Sequence, residues 1–163
     1  MTLTVRRLKQ VLHYTPSTGQ FVWKQKRGRQ AAGSTAGSSK GSGGYVRLMV
    51  DGTLYLAHRL IFFYVEGRFP KHDVDHINGN RADNRYKNLR HATRSANNQN
   101  RRTPHTRNKA GYLGVSFDPR DGRYYARIFF NGKQNSLGGF STPEEAHAAY
   151  THAKRLFHPG CTI

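Results

Sequence analysis

His72-Asp-Val-Asp-His-Ile-Asn-Gly-Asn-Arg-Ala-Asp-Asn-Arg-Tyr-Lys-Asn-Leu-Arg-His-Ala-Thr-Arg-Ser-Ala-Asn97 is a dense polar block with few apolar residues to hold it. Val74 and Ile77 would anchor one strand, and Leu89 and Ala92 a second. Asn, Asp and Gly fill the interval, and their side chains satisfy nearby backbone groups in turns. Thr93 or Ser95 offers an N-cap for a helix running to about Arg102. The block reads as strand, long turn, strand, helix.

Upstream, Leu3, Leu8, Val11 and Leu12 are spaced for a short amphipathic helix over residues 2–12, capped by Thr2 or Thr4. Thr15 to Gly19 is a turn, and Phe21 to Trp23 a short strand. Residues 33–44 are almost wholly Gly, Ser, Thr and Ala, the composition of a flexible loop. Tyr45 to Val50 and Thr53 to Leu56, joined by Asp51-Gly52, form the strongest hairpin signal in the chain. Ala57 to Glu66 follows as a helix ended by Gly67 and Pro70.

Downstream, Thr103 to Ala110 has the composition of a linker. Beyond it, Gly114 to Phe117, Arg123 to Phe130 and Gln134 to Leu137 read as strands punctuated by Asp121-Gly122 and Asn131-Gly132. Ser141-Thr-Pro-Glu-Glu145 opens a last helix with a hydroxyl cap, a proline in the first turn and acids at the positive dipole end. The expected organisation is α+β: a domain over 1–102 with the block at its core (about 72–102), a linker at 103–110, and a small sheet-plus-helix module over 111–163.

Twenty-seven Lys and Arg against nine Asp and Glu leave +18 on 163 residues, which points to a polyanionic partner. Aromatic residues at 12% are too many for a disordered basic tail. The single cysteine, Cys161, excludes an intramolecular disulfide framework and a cysteine-rich zinc site. The longest apolar run, Leu60 to Val65, falls far short of the ~20 residues of a membrane span. No apolar signal core follows the basic N-terminus, so the expectation is a soluble, intracellular, nucleic-acid-binding protein.

Asp75-His76, Gly79, Asp83-Asn84, Asn88-Leu89-Arg90 and Asn97 together resemble the HNH endonuclease motif in its ββα-metal form. The branch most similar is the phage and intron homing type, in which the last position is Asn; the preceding Ala57-His58-Arg59-Leu60-Ile61 segment is similar as well. The similarity spans roughly residues 1–102. It implies metal-dependent phosphodiester hydrolysis with one Mg²⁺ or Mn²⁺ ion. His76 would be the general base, a neutral imidazole at pH 7 able to take a proton from water. Asp75 and the side-chain carbonyl of Asn97 would offer hard oxygens to the ion, with phosphate and waters completing its shell. Asp75 and His76 are adjacent on a strand and converge only if the strand bends at its end, which Asn78-Gly79 permits. Asn88, by resemblance, braces the loop and orients His76. Asn84 reads as a cap of that loop, His58 as a packing or capping histidine, and His72 and His91 as solvated flanks.

Arg81, Arg85, Arg90, Arg94, Arg101 and Arg102 surround this motif and are expected on the DNA backbone, where contacts position a duplex without reading it. Lys24, Lys26, Arg27, Arg29 and Lys40 would make a further backbone clamp. Gly114-Val115, residues 122–128, Leu137-Gly138, Phe140 and the Thr142–Tyr150 helix resemble the Apetala-type (ethylene-response-factor) DNA-binding domain over about residues 111–160. Alternation turns Tyr124, Ala126 and Ile128 towards its helix and Tyr125, Arg127 and Phe129 outward. Ser116, Gln134 and Ser136 match further groove-facing positions of that family, although Ser116 and Ser136 stand where its plant members carry Arg or Trp. Arg123, Tyr125, Arg127 and Lys133 are the expected DNA contacts. The expectation is a cytoplasmic, monomeric endonuclease acting on double-stranded DNA without a membrane or small-molecule cofactor, in a bacterial host if phage-encoded. The alternative is a DNA-binding regulator on a catalytically inactive HNH scaffold.

Overall fold

The computed structural model describes residues 2–39 and 42–162, and Lys40 of the expected basic clamp lies outside them. The chain divides between Thr93 and Arg94 into two units. Each is built of short antiparallel sheets and helices, an α+β architecture.

In the first unit, α1 (Val5–Val11) begins at Thr4, whose hydroxyl accepts the Arg7 N–H at 3.1 Å. The helix stops one residue short of the sequence expectation because Leu12 turns extended and opens β1 (Leu12–Thr15). β1 pairs with β2 (Gln20–Trp23), which pairs in turn with β3 (Thr35–Ala36). β3 lies inside the segment read as a loop. A two-residue strand is too short to leave a pattern, and pairing with β2 is what orders it.

The predicted hairpin forms as β4 (Arg47–Val50) and β5 (Thr53–Leu56), with Asp51 and Gly52 at φ 47° and 80° in the turn. Two positive φ values match the twist of the flanking strands and explain Asp-Gly. α2 (Ala57–Glu66) follows at once and ends at Gly67, whose positive φ of 79° lets its N–H reach the Phe63 carbonyl. Leu8, Leu12, Phe21, Val50, Leu60 and Ile61 are almost fully buried and form the centre of one core. β6 (Asp73–His76) and β7 (Leu89–Ala92) make a separate two-stranded ladder whose Val74 and Leu89 join that core.

The second unit begins with α3 (Arg94–Gln99). β8 (Val115–Asp118), β9 (Arg123–Phe130) and β10 (Lys133–Phe140) form an antiparallel sheet in the order β10-β9-β8. α4 (Pro143–Phe157) starts at Thr142 with a full capping box to Glu145. Ala126 and Ile128 from β9 meet Ala146, Tyr150 and Ala153 from α4 in a small core, where alanines allow close approach. Gly114 has no room for a Cβ, because the Tyr150 ring lies within 2.0 Å of where it would stand.

The division at Thr93/Arg94 lies upstream of the linker expected at 103–110. The reason is local bonding within the second unit. The Lys154 ammonium, 1% exposed, donates to the Arg101 carbonyl at 2.5 Å, and Gly160 N–H donates to Gln99 Oε1 at 3.2 Å. Thr162 donates to Asn100 Oδ1 at 2.5 Å. Residues 99–102 gain these partners from the C-terminal end of the chain. Among the described residues no helix is long and apolar enough to cross a membrane.

Candidate active site

β6 and β7 run antiparallel with Asp75 opposite Arg90 and His76 opposite Leu89. At the end of β6 the Gly79 N–H returns to the His76 carbonyl at 2.8 Å, with Gly79 at φ 73°. Asx contacts then order the loop: Asn78 Oδ1 accepts from Asn80 N–H at 2.9 Å, and Asn80 Oδ1 from Ala82 N–H at 3.0 Å. Asp83 accepts Asn78 Nδ2 at 2.7 Å and both Nε and a terminal nitrogen of Arg85, at 2.7 and 2.5 Å. These donors hold the Asp83 carboxyl down at about 2.

Asn88 ties the loop's two ends. Its Nδ2 donates to Asn78 Oδ1 at 3.0 Å and to the Asp83 carbonyl at 2.8 Å, while its Oδ1 accepts Asn78 N–H at 3.0 Å. The amide at the His76 ring is instead that of Asn84, with Nε2 and Oδ1 3.1 Å apart. Asn84 Nδ2 points to the Ala82 carbonyl at 3.4 Å, which sets Oδ1 as the acceptor. His76 Nε2 therefore carries the proton and the ring's lone pair is on Nδ1. Asn84 is itself held from behind, where the buried Tyr14 hydroxyl donates to its carbonyl at 2.9 Å.

Asp75 and His76 are both buried, 6% and 3% exposed, as are Asn84 and Asn88. Arg90 donates to Asp75 Oδ2 through Nε at 2.9 Å and a terminal nitrogen at 2.8 Å. Burial lowers the His76 pKa below the ordinary histidine value, opposed by the Asn84 hydrogen bond and the Asp75 and Asp83 charges. Its ring is neutral at pH 7.

A second histidine stands beside it. The His58 ring, from the first turn of α2, meets His76 edge-on at 5.1 Å and 83°, and Tyr45 covers both at 5.3 and 6.0 Å. The Arg81 guanidinium closes over Tyr45 at 4.8 Å and donates to the Gly43 carbonyl at 2.9 Å. His58 Nδ1 is buried without a hydrogen-bond partner among the described residues. Burial first, then the neighbouring His76 and Arg59, lowers the His58 pKa to about 4. His91 lies apart, against Phe62 at 4.3 Å and bonded to Glu66 at 3.1 Å, and the His72 side chain is exposed.

The sequence alone points to Asp75, His76 and Asn88, with Asn88 expected to orient His76 and Asn84 only to cap the loop; the structure puts Asn84, not Asn88, against the His76 ring. Its position directly after Asp83 was visible; its contact with His76 depends on the folded loop. Tyr45 carried no signal, because it reaches the site from a segment remote in sequence. Of the expected DNA contacts, Arg85 and Arg90 are ion-paired to Asp83 and Asp75, whereas Arg94, Arg123, Arg127 and Lys133 are exposed. Arg101 and Arg102 are also exposed, Arg102 bonding Thr162 at 2.7 Å. Asn97 is half-buried on α3.

On the second unit, Tyr125, Arg127 and Phe129 occupy the face of β9 opposite the core, with Phe129 64% exposed. Register sets Ser116 and Gly139 beside Tyr125, Ser136 beside Arg127 and Gln134 beside Phe129. The Tyr125 ring lies where a Cβ on Gly139 would fall, and its hydroxyl donates to Asp121.

Among the described residues no group of three or more His, Cys, Asp or Glu is arranged to hold a metal. The buried Asp75 carboxylate offers a hard oxygen of the kind a divalent cation takes as one ligand among waters.

Residues 55–99 match the HNH endonuclease family, an interval that runs from β5 to the end of α3 and contains the whole loop just described. A protein of Acanthamoeba polyphaga mimivirus, named an uncharacterized HNH endonuclease, is 34% identical over 103 residues. The match covers 61% of this chain and 52% of the relative, so the chain spans about half the length of the curated relative it matches. No solved structure matches the chain significantly. With Asp75 and His76 on β6 and Asn88 closing the loop after it, residues 55–99 are an HNH endonuclease domain.

Proposed function

We propose that this protein is a homing-type DNA endonuclease whose HNH domain hydrolyses phosphodiester bonds with one divalent metal, Mg²⁺ or Mn²⁺. The carrying observation is His76: buried, neutral, fixed through Nε2 by Asn84, and adjacent to a buried carboxylate. Asp75 would hold the ion, with Asn97 the second oxygen donor that the motif implies. Bound there, a divalent ion supplies charge stabilisation at the scissile phosphate. His76 Nδ1 removes a proton from water as the water oxygen bonds to phosphorus. The bond from phosphorus to the leaving sugar oxygen breaks, and that oxygen takes a proton from solvent. With Asn84 Oδ1 accepting from Nε2–H, the basic nitrogen of the ring is Nδ1.

The second unit serves as the targeting module for double-stranded DNA. Its support is the outward face of β9 and β10, where Arg127 and Phe129 stand exposed beside Ser136 and Gln134. One general base serves one strand at a time, so a monomer nicks before it breaks both strands.

The test is supercoiled plasmid incubated with the full chain in Mg²⁺, in Mn²⁺ and in excess chelator. The expected product is relaxed circle, formed only with metal and lost in Asp75→Ala. Plasmid that is bound but uncut under every metal condition would make the protein a regulator on an inactive HNH scaffold.

A further inference from the structure

Arg90 and Asp75 form an asymmetric pair. They face each other across the β6–β7 ladder, and two guanidinium donors, Nε and a terminal nitrogen, converge on one carboxylate oxygen, Oδ2. The Asp75 side chain is 7% exposed and that of Arg90 29%. The carboxylate is fixed inside while the guanidinium reaches the surface. Arg85 and Asp83 pair differently: Arg85 bonds both carboxylate oxygens, Nε to Oδ1 at 2.7 Å and a terminal nitrogen to Oδ2 at 2.5 Å.

We propose that Arg90 is an exchangeable counter-ion for Asp75, released to a DNA phosphate when a divalent metal takes the carboxylate. The proposal rests on the reading that Asp75 is the metal's carboxylate ligand. A buried carboxylate without a cation is strongly unfavourable, so Arg90 stabilises the metal-free domain. The same positive charge repels an incoming divalent ion. Metal entry must therefore break the ion pair or bear that repulsion. A phosphate offers the guanidinium a bidentate alternative within reach of solvent. Metal and DNA then favour each other's binding, and by linkage each raises the other's affinity by the same factor. The domain would load its metal poorly until a duplex arrives.

Mn²⁺ binding to the full chain, followed by electron paramagnetic resonance of the free ion without DNA, tests this directly. Arg90→Gln should bind Mn²⁺ on the order of tenfold more tightly than wild type, while Arg90→Lys, which keeps the charge, should stay within about threefold. Unchanged or weaker binding by Arg90→Gln overturns the exchange. Asp75→Asn separates the two levels: retention of the Mn²⁺ site there refutes Asp75 as ligand, whereas its loss alongside an unaltered Arg90→Gln refutes only the role of Arg90. Should Arg90→Gln fail to fold, the unaltered protein still decides. The Arg90 Nε–H resonance should hold its carboxylate-bound position without metal and move away from it once Mg²⁺ and a duplex are both added. A resonance that stays at its metal-free position at saturation overturns the proposal.

Discussion

His58 shows what burial does to a single residue of this site. It is 4% exposed, edge-on to His76, and its pKa is pushed down to about 4 from an ordinary 6.5. The unfolded chain takes up this proton near pH 6.5 and the folded one only near 4. Between those values the unfolded state binds more protons, so stability is complete above the upper value and falls as pH falls towards the lower. The difference amounts to on the order of 3 kcal/mol. His76, also lowered, acts in the same direction. Asp83, held at about 2, loses its contribution only below the ordinary carboxylate value of 3.8, so the two windows do not overlap. Urea unfolding midpoints should therefore drop between about pH 7 and about pH 5. His58→Phe should flatten the dependence, leaving the part due to His76. Identical midpoints in the wild-type protein would mean that His58 is not buried beside His76.

The elements that support the loop make a sharper demand on shape. Gly19, in the turn between β1 and β2 at φ 75°, lies so close to the loop that a Cβ would stand 2.4 Å from the backbone of Asn84 and Arg85. Gly52 has a similar φ of 80° and nothing within 4 Å. Gly52→Ala should cost roughly 1–2 kcal/mol, the left-handed backbone penalty alone. Gly19→Ala should cost more and displace the amide that holds His76, and urea melts of the pair would show the difference. Equal losses would place the β1–β2 turn away from Asn84. Legibility in the sequence follows the same division between local and remote causes. The Asp51-Gly52 hairpin and α2 are written in neighbouring residues, as are Asp75 and His76 at the end of β6. β1 was hidden because Leu12 continues a helical spacing, and β3 because Thr35 and Ala36 carry no pattern. Asn84 at His76, and Tyr45 over both histidines, arise from chain segments brought together only by folding.

For the whole molecule, charge is the dominant quantity. If DNA is the substrate, as proposed, a net +18 predicts a strong ionic component to its binding. Six to ten phosphate contacts would weaken binding by about 10³–10⁵ between 50 and 200 mM salt, measurable by fluorescence anisotropy with a labelled duplex. A flat response would mean that the excess charge is not spent on nucleic acid. The central claim, however, is that a neutral His76 drives hydrolysis. Wild-type protein and His76→Ala should be compared on supercoiled plasmid in Mg²⁺ at neutral pH, under single-turnover conditions. The account predicts relaxed circle from the wild type and a rate lower by about 10²–10⁴ in the variant, with DNA affinity retained. Cleavage by His76→Ala at the wild-type rate would contradict it.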